Sequence, residues 1–218
     1  MEIEDEKTTE VWKKALKFII SHGRKFAEPG GAKGTQVFNL SLKINNPKAD
    51  VKKPIEIMRR FEWIYPSLDE LENIIFKKTA SFGHSYVYGP RIFNFNSIKD
   101  QVDGYVIPLL KKDPSSRRAV ISIWNPITDS EITNKDCPGL LMIDFKYKHE
   151  KLRATAIIRS TDMFIGWPAN IYQIFVLQNY IAEETNLKPG PILTYSTNAH
   201  IFEQYNEKIE KILSRKRN

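Results

Sequence analysis

A chain of 218 residues fits one domain and is long enough to bury a real core. Its 41% hydrophobic, 11% aromatic and 27% charged composition is that of a folded globular protein, and no apolar run approaches the roughly 18–20 residues needed to span a bilayer. The formal charge of +7 points to anionic partners, while a single cysteine, Cys137, excludes an internal disulfide and a cysteine-rich zinc site.

The acidic start, Met1 to Glu6, does not read as a secretory leader, so a cytoplasmic protein is expected. Apolar residues at Val11, Trp12, Ala15, Leu16, Ile19 and Ile20 predict a helix over 8–22, with Thr8 or Thr9 able to cap it. Pro29 to Gly34 reads as a flexible loop, and residues 36–44 alternate as a strand that places Phe38, Leu40, Leu42 and Ile44 on one face. Pro54 to Tyr65 reads as helix. Ser67-Leu68-Asp69-Glu70 has the form of a capping box opening a second helix to about Lys78. Residues 86–95 read as an irregular loop and 98–110 as helix. Residues 119–124, 140–147 and 152–159 read as buried strands, 171–185 as a long helix and 191–196 as a short strand, with a C-terminal helix to close. This order lacks a βαβ rhythm and favours an α+β class. The basic tail around Lys211, Arg215, Lys216 and Arg217 reads as a solvated helix end. Basic residues are spread along the chain with no nucleic-acid-binding signature, which argues against a nucleic-acid partner.

Several segments of the second half stand in a telling order. These are Asp113-Pro114-Ser115-Ser116-Arg117-Arg118 leading into Ala119 to Pro126, then Ile143-Asp144-Phe145, then Arg159-Ser160-Thr161-Asp162 leading into Gly166 to Asn170, and Asn198-Ala199-His200-Ile201-Phe202. Tyr88-Gly89-Pro90-Arg91 precedes them. In order and spacing the chain resembles the thymidylate synthase family and the related pyrimidine hydroxymethylases, closer to the short archaeal-type enzymes, over about 120 residues; the first 80 match poorly. The resemblance implies one domain over 1–218, a mixed β-sheet packed with helices, and a homodimer formed through the sheet. It also implies one-carbon transfer, methyl or hydroxymethyl, to C5 of a pyrimidine nucleoside monophosphate such as dUMP. The implied carrier is 5,10-methylenetetrahydrofolate or a related pterin, with no metal.

Residue by residue, the resemblance assigns Arg117, Arg118, Arg159 and Ser160 to phosphate, with the paired arginines reaching in from the neighbouring subunit. Bidentate guanidinium is the natural clamp for a dianionic phosphate. Asn170 matches the amide that reads the pyrimidine edge; it can donate to O4 and accept from N3–H, which suits uracil. His200 matches the histidine near the sugar 3′-hydroxyl, although its usual tyrosine companion is Phe202 here. Asp162 matches the aspartate that contacts the pterin ring. Glu62 is the candidate proton-shuttling glutamate, with Glu56 the second choice. The family's early phosphate arginine is replaced by Gly30, with Lys33 nearby to supply charge.

The family's nucleophile is a cysteine, because thiolate addition at C6 makes C5 reactive. Counting forward from Arg118 places that position on Cys137. Counting back from Arg159 crosses a strand pair and not a loop and places it on Gly139, where Pro138-Gly139 also matches the family's Pro-Cys step. The resemblance therefore puts the position at Gly139, with Cys137 two residues upstream. Two readings remain: a transferase using a displaced Cys137, or a family member that binds a pyrimidine nucleotide without cysteine-dependent chemistry.

Overall fold

The structure, a computed structural model, describes residues 1–61, 66–79, 88–133 and 137–214. In chain order the elements are β1 (Glu2–Asp5), α1 (Thr8–His22), β2 (Arg24–Ala27), β3 (Lys33–Ile44), α2 (Lys53–Met58), α3 (Leu68–Phe76) and α4 (Tyr88–Phe93). A π-helical turn, Val102–Val106, then runs into α5 (Ile107–Lys112). There follow β4 (Val120–Ser122), α6 (Pro126–Asp129), β5 (Leu140–Lys148), β6 (Lys151–Ile158), β7 (Thr161–Asp162), α7 (Gly166–Glu184), β8 (Lys188–Phe202) and α8 (Asn206–Ser214). Parallel and antiparallel pairings coexist, so this is the expected α+β arrangement of a mixed sheet with helices. Among the described residues no helix is long and apolar enough to cross a membrane.

The chain folds as two compact units, each assembled from separated segments. The first contains Met1–Tyr65, Ile158–Tyr172 and Leu193–Asn218; the second contains Pro66–Ile157 and Gln173–Ile192.

In the first unit, β3 is flanked by β1 and β8, with β2 also on β3 and β7 on β8. Helix α1 lays Val11, Trp12, Ala15, Leu16 and Ile19 against β1 and β3, all fully buried, as the apolar spacing requires. The Trp12 indole donates to the Met163 carbonyl at 2.8 Å. The expected cap is different. Neither threonine hydroxyl caps the helix; instead the Thr8 and Thr9 amides donate to the two Asp50 carboxylate oxygens, at 2.7 and 3.1 Å. A carboxylate at a helix N-terminus satisfies orphan N–H groups and meets the positive end of the dipole, and this one arrives from more than forty residues away. The alternation of β3 is also interrupted. Asn39 has φ of 58°, a left-handed residue that shifts the phase, so Leu40, Leu42 and Ile44 are buried while Phe38 is 56% exposed.

In the second unit the capping box is present, with the Ser67 hydroxyl accepting from the Glu70 amide and the Glu70 carboxylate accepting from the Ser67 amide. The segment expected to be irregular around Gly89-Pro90 is helical in α4. Pro90 lies in its first turn, where a missing N–H costs nothing. Gly89 packs so closely on α3 that a Cβ would lie 2.5 Å from the Ile74 carbonyl oxygen. The helix expected from 98 begins later, because Asn96 and Ser97 are left-handed and Phe95 bridges to Lys99 in a tight turn. Strand β5 lies between β4 and β6, pairing antiparallel with β4 in the register Val120↔Asp144 to Ser122↔Met142. His149 and Glu150, both with positive φ, connect β5 to β6, as a two-residue hairpin turn demands. Inside this unit the buried Gln178 amide donates to the carbonyls of Leu152 on β6 at 2.8 Å and Gly190 on β8 at 3.2 Å.

Candidate active site

Within the first unit, β7 is only two residues long, but it fixes the geometry. It lies parallel to β8 with Thr161 opposite Ala199 and Asp162 opposite His200. Side chains reinforce the pairing. The Thr161 and Ser196 hydroxyls share a buried 3.0 Å hydrogen bond, the Thr197 hydroxyl donates to the Arg159 carbonyl at 2.7 Å, and the Met163 amide donates to the His200 carbonyl at 2.9 Å. The Trp167 indole adds a bond to Thr194 at 3.0 Å. Arg159, Ser160, Asp162 and His200, which are 41 residues apart at the extremes of the sequence positions, are thereby held along one strip. Arg159 is exposed, Ser160 and Asp162 are half-buried, and Asn170 is half-buried in the first turns of α7.

His200 sits against two rings. Phe26 lies edge-on at 5.9 Å between centroids and Phe202 at 5.1 Å. Gly34 makes room for this, since a Cβ there would come within 2.6 Å of the Phe26 ring and 2.5 Å of the Ile201 carbonyl oxygen. Burial pulls the His200 pKa down from 6.5 to about 4, so the imidazole is neutral at physiological pH and can donate or accept one hydrogen bond. Burial also raises Asp162 from 3.8 to about 6, against the pull of the Ile165 and Phe164 amides that its carboxylate accepts.

These two shifts oppose each other in stability. A histidine kept neutral in the fold loses stability as pH falls below 6.5 towards 4, because the unfolded chain binds the extra proton. An aspartate protonated in the fold loses stability as pH rises from 3.8 through 6, because the folded chain holds the extra proton. Their slopes cancel between about pH 4 and 6. Asp162→Asn should therefore unmask stability that rises with pH across this window, and His200→Asn stability that falls, each by about 1 kcal/mol per pH unit. Urea unfolding at half-unit pH steps measures both; parallel slopes for the two variants would contradict the assignment.

Beside the strip is a cleft of about 460 Å³, in the size range of small-molecule sites, with Asp162, Ile165, Phe202, Tyr205 and the exposed Lys33 in its wall. A half-buried carboxylate among apolar and aromatic side chains, with Lys33 and Glu203 at the rim, suits a flat ring bearing N–H groups on one edge.

The second unit carries Arg117, Arg118, Cys137 and Gly139, and the two glutamate candidates belong to the first. Asp113 accepts from the Ser115 amide and hydroxyl, at 3.0 and 2.7 Å, folding Asp-Pro-Ser-Ser into a turn that presents Arg117 and Arg118 outward just before β4. Both arginines are exposed, and among the described residues neither guanidinium has a side-chain partner. Cys137 and Gly139 lie in non-regular chain ahead of β5, separated by the buried Pro138. The Cys137 thiol is half-buried and donates to the Asp129 carbonyl at 3.3 Å. Glu62 falls outside the described residues. Glu56 is a surface residue of α2 paired with Lys53 at 3.3 Å. Among the described residues no group of three or more histidine, cysteine, aspartate or glutamate side chains could hold a metal ion.

One feature beside Cys137 is not signalled by the sequence. Arg91 grips Asp129 with both terminal nitrogens, at 2.5 and 2.7 Å, and also donates to the Ile123 carbonyl at 2.9 Å. The Asn125 amide donates to the same carboxylate at 2.8 Å. The Asp129 side chain is completely buried. Burial raises its pKa, but the Arg91 hydrogen bonds, the Asn125 amide and the guanidinium charge together hold it below the usual carboxylate value. Asp129 lies in an ordinary Thr-Asp-Ser stretch, and nothing in its neighbours marks it.

Comparisons with known proteins identify the family. The family model described as "Thymidylate synthase" matches residues 62–218, well over half of the chain. The chain belongs to the thymidylate synthase family. A Methanosarcina mazei protein named "Putative thymidylate synthase" is 31% identical over 205 residues, covering 94% of this chain and 91% of its own length. A Methanothermobacter thermautotrophicus protein of the same name is 27% identical over 97% of both chains. The "Thymidylate synthase" of Mycoplasma genitalium is 36% identical over 144 residues, which are 66% of this chain and 48% of that one. Thymidylate synthase chemistry is, in general, one-carbon transfer to C5 of a pyrimidine nucleotide, with methylenetetrahydrofolate as the carrier.

Proposed function

We propose that this protein transfers a one-carbon unit to C5 of dUMP. The observation that carries the reading is the pinning of β7 on β8, which holds Arg159-Ser160, Asp162 and His200 along one strip. Arg159 and Ser160 bind the phosphate. The Asn170 amide reads O4 and N3–H of uracil. The neutral His200 hydrogen-bonds the sugar, and Phe202 offers it no hydroxyl to share that task, so recognition of the sugar rests more heavily on the imidazole. Arg117 and Arg118 complete the phosphate clamp from the neighbouring subunit of a homodimer. Cys137 supplies the thiol that adds to C6 of the pyrimidine.

The cleft beside Asp162 fits a reduced pterin. Its carboxylate would accept from the ring N–H edge, Ile165, Phe202 and Tyr205 would cover the flat faces, and Lys33 would meet the carboxylate tail. When bound, methylenetetrahydrofolate supplies the one-carbon unit.

Calorimetry of the full chain against dUMP, UMP, dCMP and CMP tests the pocket. dUMP is expected to bind best, in the micromolar to low-millimolar range. Arg159→Ala should weaken it by about 1.5–3 kcal/mol through loss of a charged hydrogen bond. Asn170→Asp should shift preference toward dCMP, because a carboxylate accepts from the cytosine amino group and repels O4 of uracil. If none of the four nucleotides binds, the reading fails.

A further inference from the structure

We propose that the π-helical turn Val102–Val106 is a positioning device for the twin-arginine turn, with Tyr105 and Lys146 as its positioning residues. The inference rests on the reading of Arg117 and Arg118 as phosphate-binding groups.

Both arginines are held by their carbonyls while their guanidinium groups stay exposed. The Tyr105 hydroxyl donates to the Arg118 carbonyl at 2.9 Å. The Lys146 ammonium donates to the Arg117 carbonyl at 3.1 Å and is ion-paired to Asp144. The backbone continues the restraint, since the Val120 amide also donates to the Arg118 carbonyl at 2.8 Å and the Phe145 amide to the Ala119 carbonyl at 2.8 Å. An Arg-Arg turn in solution would sample many directions for two long side chains. Fixing the two carbonyls fixes the Cα–Cβ directions, and less freedom is then lost when a dianion is gripped.

The π turn is what aims Tyr105. Its bonds span five residues, as from the Val106 amide to the Gln101 carbonyl at 3.0 Å. Such single-turn π segments accommodate one additional residue within a helix and recur at functional sites. One residue is about 100° of rotation on a helix, so a regular α-helical turn would swing Tyr105 away from Arg118. The wide turn is held from three sides. Asp100 accepts from the Val102 and Asp103 amides at 3.0 and 2.8 Å. The Gln101 side chain joins the Arg91 and Ser122 carbonyls and accepts from the Ser122 amide. Asp103 accepts from the Tyr180 hydroxyl at 2.9 Å. Lys99 lies over the Tyr105 ring, 5.6 Å from its centroid. A turn of five residues anchored this heavily serves a purpose beyond linking Asp100 to α5, and the group it delivers is the phenol on Arg118.

The test is calorimetry on the full chain with dUMP and with deoxyuridine, which lacks the phosphate, for the native protein and for Tyr105→Phe, Lys146→Met and Arg118→Ala. Tyr105→Phe and Lys146→Met should each weaken dUMP about three- to tenfold, the size of one hydrogen bond's effect, and leave deoxyuridine and the melting temperature unchanged. Tyr105→Phe should add nothing in an Arg118→Ala background, because the two act on one contact. Weakening of dUMP by Arg118→Ala but not by Tyr105→Phe overturns the positioning role. Equal weakening of both ligands by Tyr105→Phe also overturns it, by making the residue merely structural. If Arg118→Ala leaves dUMP binding intact, the phosphate assignment itself fails, and the positioning role falls with it.

Discussion

Replacing Cys137 with alanine is expected to abolish tritium release from 5-tritiated dUMP in the presence of methylenetetrahydrofolate, while leaving dUMP binding within about twofold. C5 of uracil is a poor nucleophile until a thiolate adds at C6, and this chain has one cysteine. Removing a covalent nucleophile costs on the order of 10⁴-fold or more in turnover. The groups proposed to bind the nucleotide, Arg159, Ser160, Asn170 and His200, do not include it. In the displaced-nucleophile reading the sulfur starts from a hydrogen bond to the Asp129 carbonyl, which it must release before it attacks. That bond is a weak one and the segment 137–139 is not part of any strand, so the release is a local change ahead of β5. Two outcomes would remove the displaced-nucleophile reading. Full release from Cys137→Ala would mean chemistry without a thiol. No release from a native protein that binds dUMP would mean a family member that keeps the pocket and has lost the transfer, as the count back from Arg159 to Gly139 allows.

The second large effect concerns what holds that cysteine. Asp129→Ala should cost about 3–5 kcal/mol, because it leaves the largely buried Arg91 guanidinium uncompensated and the Asn125 amide without its acceptor. For a chain of this size that is a fall in melting temperature of roughly 6–20 °C. Replacing both partners by apolar residues, Arg91→Met with Asp129→Leu, should recover most of it, since the penalty comes from the unpaired charge. The pH dependence follows from the lowered pKa of Asp129. Its contribution is present above the unfolded value of 3.8 and is lost as pH falls through the lower folded value. Since the Asp129 backbone also accepts from Cys137, the alanine variant should be labelled faster by a thiol reagent than the native chain. A loss below about 1 kcal/mol in thermal and urea unfolding would show that the pair behaves as a surface ion pair.

What could be read from the residues, and what could not, follows physical lines. Helix α1 and the α3 capping box rest on spacings within one or two turns, and both are found where the residues place them. The phase of β3 is lost at Asn39, because a positive φ leaves no mark on the alternation beyond an asparagine. Strand β8 runs over 188–202, far beyond the short apolar run at 191–196. Its polar half, Thr194 to Asn198, is bound by Trp167, Thr161 and Arg159, partners that no local pattern announces. The same holds at the candidate site. Arg159, Asp162, Asn170 and His200 could be picked out as members of a family pattern, but their assembly depends on a two-residue strand. The Asp50 cap, the Arg91–Asp129 pair and the Tyr105 phenol join residues from 13 to more than forty positions apart, and single residues of that kind carry no periodicity.

The order of segments in the first unit has a consequence for how the chain is made. Strand β3 is complete within the first 44 residues, yet its neighbour β8 ends only at Phe202. At ribosomal speeds of about 5–20 residues per second, β3 waits on the order of ten seconds or more with one hydrogen-bonding edge unsatisfied. Such an edge is a template for pairing with other chains. Neither a truncation nor a single cut can release either unit intact, because Met1–Tyr65 and Leu193–Asn218 belong together and Pro66–Ile157 is completed by Gln173–Ile192. The emerging protein therefore stays unfinished until its last fifth is synthesised, and its yield in the cell depends on protecting an N-terminal strand during that interval.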